Sequence, residues 1–294
     1  MKKLLLTGAS SFTGTKFIEL YSNKYDISPI SRNNPAAPID LNDKGALEQL
    51  FESVKPDVVV HLAATIGRDS KNADVLTVDV ATTKSLIDLA KEHEIPFVYT
   101  SSEIVYNGRK EGMYEESDSY RPRSDYGKSK VISEEYLRNS GLPYLITRGH
   151  RYIGYPSPGF DRPKQFPDAL REVLSGNDIH VDSKRKVTLI LIDDICDIID
   201  HYIQHDIENQ LILNMGTEKV TTYYDLWLDI TKVAGINPEL IHGDGDEPGW
   251  LMNNSLSTKK LRKLGYPQRS YEQVVKVITD GIKNGTIQRM VEDV

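Results

Sequence analysis

Residues 3–14 read KLLLTGASSFTG, an apolar run that enters a glycine-containing turn, and a helix-period segment follows. A glycine at a strand end permits a tight turn, a small residue lets a phosphate approach backbone N–H groups, and a glycine at the helix start allows close packing. Gly8 and Gly14 fill the outer positions, and Ser11 fills the middle one. The stretch predicts a strand, a phosphate-binding turn and a helix. Taken alone, this pattern would also fit a strand-to-helix turn that binds no ligand.

Apolar runs alternate with helix-period segments through the first half of the chain. This alternation is typical of βαβ units and of a parallel sheet covered on both faces. We therefore predict an α/β fold of the Rossmann type, with a doubly wound parallel sheet. The predicted strands are Lys3–Leu6, Ile27–Ile30, Val58–His61, Phe97–Thr100 and Tyr144–Thr147, and the predicted helices include Thr15–Tyr21, Lys44–Ser53 and Val75–His93.

The alternation weakens after Arg148, where prolines interrupt regular structure. We predict a dinucleotide-binding domain over residues 1–155 and a smaller α+β substrate domain made mainly of residues 156–294. The two are expected to interleave, because strands at Val187–Leu191 and Leu211–Asn214 could rejoin the first sheet. Two later helices are predicted at Tyr223–Ala234, with Thr222 as N-cap, Asp225 behind it and Gly235 as the stop, and at Tyr271–Lys283.

The bulk composition is that of an ordinary globular protein of 294 residues with a formal charge of −7. That charge argues against a nucleic-acid surface, which needs clustered excess Lys and Arg. The basic pair before the first apolar run is followed by too few apolar residues for a signal peptide, and no window approaches a membrane span. The single cysteine, Cys196, excludes an internal disulfide and is expected in the core. We expect a cytoplasmic protein.

A strand near residues 96–100 ends in Ser101-Ser102-Glu103, and a later helix begins with Tyr126 and carries Lys130. Residues four apart share a helix face, so the phenol and the ammonium can point at the strand end. The ammonium favours the phenolate and could lower a pKa near ~10 by roughly 1–3 units. Such a tyrosine can exchange protons near neutrality, with Ser102 completing the group. A pair on the helix surface without function is the alternative.

The segments SSEIVY (101–106) and YGKSK (126–130), with Pro122 between them, resemble in order the active-site block of the extended short-chain dehydrogenase/reductases. The resemblance covers nearly the whole chain and implies catalytic roles for Ser102, Tyr126 and Lys130, with Glu103 beside them. It also implies a homodimer formed through the helix that bears Tyr126.

The resemblance further implies a bound dinucleotide. Ser11 departs from the family spacing Gly-x-x-Gly-x-x-Gly, and Asp79 stands where the family usually has asparagine. Arg32, after the second strand, favours NADP(H) over NAD(H), because an arginine there accommodates the 2′-phosphate; a solvated loop arginine is the alternative. The residues expected to contact the cofactor are Gly8, Ser11, Phe12, Gly14, Arg32, Asp40, Leu41, Ala63, Ala64, Tyr126 and Lys130.

Family members are reductases, epimerases and dehydratases that act mostly on nucleotide-activated sugars. The 4,6-dehydratases carry an Asp-Glu pair behind the catalytic hydroxyl, whereas this chain has Glu103-Ile104, which is most similar to the dTDP-4-dehydrorhamnose reductase branch. The expected reaction is reduction of a keto group on a nucleotide-linked deoxysugar. The alternatives are a 4-epimerase that holds NAD tightly, a non-catalytic dinucleotide-binding regulatory subunit and, for Glu103, a solvated side chain.

The substrate diphosphate should meet cations. Arg151 and Lys186 are candidates, with Lys184 and Arg185 nearby, and Trp250 could present an aromatic surface to the base or the sugar. Solvated surface side chains or plain packing would account for the same residues. His201 and His205 share a helical spacing without an evident third ligand, so no metal site is predicted.

Overall fold

The computed structural model describes residues 1–31, 39–64, 75–158, 160, 165–244 and 252–285. The strands are β1 (Lys3–Thr7), β2 (Asp26–Ile30), β3 (Val58–His61), β4 (Phe97–Thr100), β5 (Tyr144–Arg148), β6 (Tyr152–Ile153), β7 (Ile179–Asp182), β8 (Ile190–Leu191), β9 (Gln210–Asn214) and β10 (Ile241–Asp244). The helices are α1 (Phe12–Tyr21), α2 (Lys44–Val54), α3 (Val75–Glu92), α4 (Asp125–Arg138), α5 (Gln165–Leu174), α6 (Ile192–His201), α7 (Tyr223–Ala234), α8 (Lys259–Lys263) and α9 (Tyr271–Lys283).

Six strands form one parallel sheet in the order β2-β1-β3-β4-β5-β9. The strand order reverses between β1 and β3, and in open α/β sheets ligands bind at such a switch point, outside the carboxyl ends of the strands. The turns after β1, β3, β4 and β5 therefore meet at one edge. The predicted doubly wound α/β fold is confirmed.

The two faces of this sheet carry separate apolar cores, as the alternation of side chains along β1 shows. Leu4 and Leu6 pack in one cluster with Phe17 of α1, and Leu5 packs in the other with Phe51 of α2. Successive strand residues point to opposite faces, so a strand buried on both faces is apolar throughout. This explains why the first strand reads as an unbroken apolar run.

Helix caps fix the starts of α1 and α7. The Ser11 hydroxyl accepts a hydrogen bond from the Gly14 amide at 3.0 Å, so α1 begins three residues earlier than the sequence predicted. The predicted boundaries of α7 are confirmed. Thr222 caps it by accepting from the Asp225 amide at 3.0 Å, and Gly235 ends it in the left-handed conformation.

One strand prediction is wrong. Leu211–Asn214 does join the main sheet, within β9 beside β5, but Val187–Leu191 does not. Its last two residues form β8, which pairs with β6 in a small sheet, while Val187 bridges to Thr221. A short apolar run fits the edge of any sheet, so its partner cannot be read from composition. The division near residue 155 stays a prediction.

A separate apolar cluster lies in the later part of the chain, around Trp227 of α7 and Val274 of α9. The 252–258 segment ties this part to the loop that follows β4. The Asn253 amide donates to the Lys110 carbonyl at 2.7 Å, and the Asn254 backbone donates to the Lys186 carbonyl at 2.7 Å. The segment thus connects the two halves of the molecule beside the carboxyl edge of the sheet.

Cys196 is buried in α6, as expected. Among the residues that the structure describes, no helix combines the length and the apolar character needed to cross a bilayer.

Candidate active site

The candidate site lies where the loop after β4 meets the start of α4. The Ser124 hydroxyl caps α4 by accepting from the Gly127 amide at 3.0 Å. A Cβ at Gly127 would stand 2.7 Å from the Ile104 carbonyl oxygen, which is closer than real contacts allow. Glycine at this position lets the first turn of α4 press against the loop that carries Ser102, and Tyr126 is brought to that loop with it.

Lys130 is buried and reaches back to the strand end. Its ammonium donates to the Thr100 carbonyl at 3.0 Å and lies 5.5 Å from the centre of the Tyr126 ring and 4.6 Å from that of Tyr99. A cation over aromatic rings is held by their negative faces. The predicted proximity of Tyr126 and Lys130 on one face of α4 is therefore confirmed.

The predicted lowering of the Tyr126 pKa is wrong in its net direction. Burial is the largest influence and raises the pKa, the Lys130 charge lowers it, and the charges of Glu103 and Asp79 add to the rise. The burial of the phenolate destabilises it by more than the charge of the Lys130 ammonium stabilises it. In this structure Tyr126 is consequently a protonated phenol at neutral pH.

Glu103 is buried behind Ser102, at 8% exposure, and receives three hydrogen bonds. Ser102 Oγ donates to Oε2 at 2.6 Å, His150 Nδ1 lies 2.6 Å from Oε1, and Asn254 Nδ2 donates to Oε1 at 3.0 Å. Burial alone would raise the pKa of Glu103, but the His150 charge and these hydrogen bonds lower it to about 2. A solvated glutamate, the alternative reading, is thus wrong.

Neither His150 nor Asn254 was singled out from the sequence. His150 follows β5, and the carboxyl ends of the neighbouring parallel strands β4 and β5 must meet, so its approach to Glu103 could have been anticipated. Asn254 lies 151 residues beyond Glu103 and carries no local signal. His150 Nε2 and Asn254 Oδ1 are buried and have no hydrogen-bond partner among the described residues.

A second buried glutamate lies beside the first. Glu134 of α4 and Arg148 of β5 form an ion pair in which both side chains have 0% exposure. Arg148 Nε and Nη2 reach the two carboxylate oxygens at 3.0 and 2.5 Å, Tyr120 donates to Glu134 at 2.8 Å, and Ser101 donates to it as well. Arg148 also donates to the Tyr106 hydroxyl at 2.7 Å.

The turn after β1, which the sequence predicts to bind phosphate, is packed tightly against the backbone around it. Gly8 has a φ of 70°, and a Cβ there would stand 2.7 Å from the Ala63 nitrogen, so only glycine fits between the turns after β1 and β3. A Cβ at Gly14 would collide with the Gly8 carbonyl. The Ser11 hydroxyl caps α1 by accepting from the Gly14 amide. Phe12 packs against Phe160, so its side chain faces the core.

The remaining predicted contact residues are more dispersed. Asp40 accepts from the Asn42 amide at 3.0 Å, and Leu41 packs at the rim of the core on the α2 face. Ala64 is exposed at the end of the turn that begins with Ala63. Arg32 and Trp250 lie outside the described residues.

Of the predicted substrate contacts, Arg151 approaches the cluster around Glu103. Its guanidinium lies 5.9 Å from the ring centre of Tyr223, which is itself 5.9 Å from the His150 ring. The Lys186 backbone pairs with the 252–258 segment, and its side chain is exposed. The rings of His201 and His205 are 4.7 Å apart, and the described part of the chain holds no cluster of three His, Cys, Asp or Glu residues placed to bind a metal.

The sequence model of the NAD dependent epimerase/dehydratase family matches residues 4–216. The chain belongs to this family. The predicted membership of the extended short-chain dehydrogenase/reductases is thereby confirmed, and so is the enzyme class.

Named relatives of this family member include both reductases and epimerases. The dTDP-4-dehydrorhamnose reductase of Aggregatibacter actinomycetemcomitans is 28% identical over 153 residues, which are 50% of this chain and 51% of that protein. The chain thus aligns with about half the length of that relative. Two solved structures share the fold over nearly all of both chains at 19% identity. They are a Bacillus anthracis dTDP-4-dehydrorhamnose reductase in complex with NADP (TM-score 0.80, 95% and 99% covered) and a Thermotoga maritima UDP-glucose 4-epimerase with UDP-glucose (TM-score 0.81, 97% and 99% covered).

Proposed function

We propose that the protein reduces a keto group on a nucleotide-linked deoxysugar with a nicotinamide cofactor. The observation that carries this proposal is the packing of the first turn of α4, which bears Tyr126, against the loop that bears Ser102, with the Lys130 ammonium 5.5 Å from the Tyr126 ring centre. A dinucleotide is proposed to bind at the turn after β1, because Gly8 and Gly14, which have no Cβ, give that turn the tight backbone path that a phosphate-binding turn needs. When bound, the cofactor would supply the hydride.

The protein's own residues then act on the keto oxygen. Tyr126 gives that oxygen a proton, Ser102 hydrogen-bonds and orients it, and Lys130 stabilises the phenolate that Tyr126 becomes. A group that protonates the keto oxygen must carry its own proton at neutral pH, and Tyr126 does so, since its pKa is raised from the ordinary value of 10.

The residues after Ser102 argue against sugar 4,6-dehydration. That elimination needs an acid and a base behind the catalytic hydroxyl, and Ile104 occupies the second place. Glu103 is a poor acid as well, since its pKa is lowered to about 2 and three donors surround its carboxylate.

We further propose NADP(H) as the preferred cofactor. The residue that follows β2 is Ser31, whose hydroxyl lies 2.6 Å from that of Ser10 in the turn after β1. A carboxylate there would bind the ribose 2′-hydroxyl of NAD and repel a 2′-phosphate, whereas the neutral hydroxyl of serine does not repel a 2′-phosphate. Arg32, the next residue, is proposed to bind the 2′-phosphate.

Binding measurements test the cofactor preference. Arg32→Ala should weaken NADPH binding by roughly tenfold or more and leave NADH binding nearly unchanged, because only NADPH loses a charge-assisted contact. Ser31→Asp, the matched change, should favour NADH. Equal affinities for the two cofactors in the parent protein would remove the preference.

The reaction is tested with a panel of nucleotide-linked 4-keto sugars, following the loss of NADPH absorbance. Tyr126→Phe should lower kcat by roughly 10²–10⁴-fold, the usual contribution of a general acid. Tyr136→Phe is the matched control: it lies on the same helix, bonds Asp88 at the surface, and should keep the parental rate. A fully active Tyr126→Phe protein would disprove the proposal.

The alternative is a nucleotide-sugar 4-epimerase, which the likeness to the Thermotoga maritima structure favours equally at the level of fold. An epimerase would be purified with NAD bound and would consume no added NADPH. For either enzyme we propose a homodimer formed through α4, which sedimentation of the purified protein would test.

A further inference from the structure

The Ser102 hydroxyl has one hydrogen, and in this structure that hydrogen is given to Glu103. The proposed reaction needs the same hydrogen for the keto oxygen, which can only accept. Ser102 is half-buried, so its hydroxyl can face the site as well as the carboxylate. The hydrogen bond must therefore change partner when substrate enters.

Glu103 is arranged to allow that exchange. After Ser102 turns away, Glu103 still receives His150 Nδ1 at 2.6 Å and Asn254 Nδ2 at 3.0 Å. A buried carboxylate that lost its only donor would carry the full cost of desolvation, whereas one with two donors remaining stays satisfied. His150 is 5% exposed and is held between Glu103 and the Tyr223 ring, so it keeps its position whatever Ser102 does.

We propose that His150 is a positioning residue. Through Glu103 it fixes the orientation of the Ser102 hydroxyl before substrate binds, and that hydroxyl then donates to the keto oxygen of the substrate. No bond to carbon is made or broken in this step; one hydrogen bond replaces another. The inference rests on the proposed function. It identifies Glu103 as the group that accepts the Ser102 hydrogen bond before substrate binds, and His150 as the residue that positions Glu103.

The order of contacts separates this cluster from a hydrolytic triad. In a triad the imidazole must contact the serine to remove its proton. Here the carboxylate lies between them, with Ser102 and His150 bound to different oxygens of Glu103. Ser102 is therefore oriented as a hydrogen-bond donor and is not activated as a nucleophile.

A matched pair of substitutions tests the role of His150. The amide nitrogen of asparagine can replace Nδ1, whereas that of glutamine corresponds to Nε2. We expect His150→Asn to keep kcat within about fivefold, and His150→Gln to lower it roughly 10- to 100-fold with KM nearly unchanged, because the lost interaction acts mainly in the transition state. Equal activity of the two variants, or a change confined to KM, would overturn the inference.

Proton NMR of the parent protein tests the hydrogen-bond exchange without relying on turnover. The proton between His150 Nδ1 and Glu103 should resonate downfield of ordinary imidazole protons and disappear in Glu103→Gln. Ser102→Ala should move it further downfield, because Glu103 loses one donor and attracts the others more strongly. Addition of NADP and the keto sugar to the parent should move it in the same direction.

If the chemical shift of the proton between His150 Nδ1 and Glu103 were the same in Ser102→Ala as in the parent, the inference would be overturned, whether or not the protein reduces any keto sugar. Conversely, a parent protein without turnover on the whole panel would disprove the proposed function, and the Ser102→Ala shift would still decide whether His150 and Glu103 hold this hydroxyl.

Discussion

Two adjacent serines donate to two different buried glutamates. Ser101 donates to Glu134, and Ser102 donates to Glu103. The basic side chains that face these glutamates also come from one stretch of chain, since Arg148 pairs with Glu134 and His150, two residues on, pairs with Glu103. The same arrangement of serine, carboxylate and basic side chain is thus built twice.

The difference lies in what each arrangement leaves open. Both oxygens of Glu134 have two partners, and the charge of Arg148 is permanent. At Glu103 the partner is the imidazole of His150, whose Nε2 atom has no partner among the described residues. A fully bonded network holds the fold rigid, whereas an incomplete one can change partners. We conclude that the first cluster serves stability and the second serves the site.

The largest expected effect is on stability and comes from breaking the first cluster. Arg148→Met should lower the free energy of unfolding by about 3–5 kcal/mol, because Glu134 would remain buried without its counter-charge. Urea unfolding followed by circular dichroism measures this. The double change Arg148→Met with Glu134→Gln should recover part of the loss. A loss below about 1 kcal/mol would show that the pair is not a stability element.

The second prediction concerns acid. The pKa of Glu103 is lowered from 4.5 to about 2, so its ionised form stabilises the folded state above the unfolded pKa. That contribution should be lost as pH falls from about 5 to 2, and it is on the order of 3 kcal/mol. Unfolding free energies of the parent and of Glu103→Gln should therefore converge over this range. If the difference in unfolding free energy between the two proteins stayed constant over this pH range, Glu103 would not be the group responsible.

The smallest expected effect separates the two serines. Ser101→Ala should lower the free energy of unfolding by about 1–2 kcal/mol and leave kcat nearly unchanged, because Ser101 is buried and water cannot replace the donor that Glu134 loses, whereas water can reach the half-buried Ser102. Ser102→Ala should cost less than about 1 kcal/mol in stability and should lower kcat instead. Urea unfolding and NADPH assays of both variants are needed. If Ser102→Ala mainly lowered stability and Ser101→Ala mainly lowered kcat, the assignment of stability to the Glu134 cluster and of the site to the Glu103 cluster would be wrong.

The sheet could be predicted because its signals are local. Residues 4–6 of β1 and 58–60 of β3 are all apolar, as expected for strands that are buried on both faces. Thr222 and Gly235 mark the ends of α7 by cap chemistry that acts within a few residues. The pairing of Val187–Leu191 depends on neighbours that are distant in sequence, and that prediction failed.

The site could be predicted only in part for the same reason. Tyr126 and Lys130 share a helix face, so their proximity follows from spacing. The net pKa of Tyr126 depends on how deeply the ring is buried, which spacing does not reveal. The contact of His150 with Glu103 could have been predicted, because the strands that precede them, β5 and β4, are adjacent. The contact of Asn254 could not, because it lies in a distant segment of the chain.

The 252–258 segment has a consequence for the order in which the protein is made. A ribosome synthesises Glu103 and His150 well before Asn254, which joins them from 151 residues downstream of Glu103. Until residue 254 has been synthesised, the carboxylate behind Ser102 lacks one of its three donors. The surroundings of Glu103 are therefore completed late in translation.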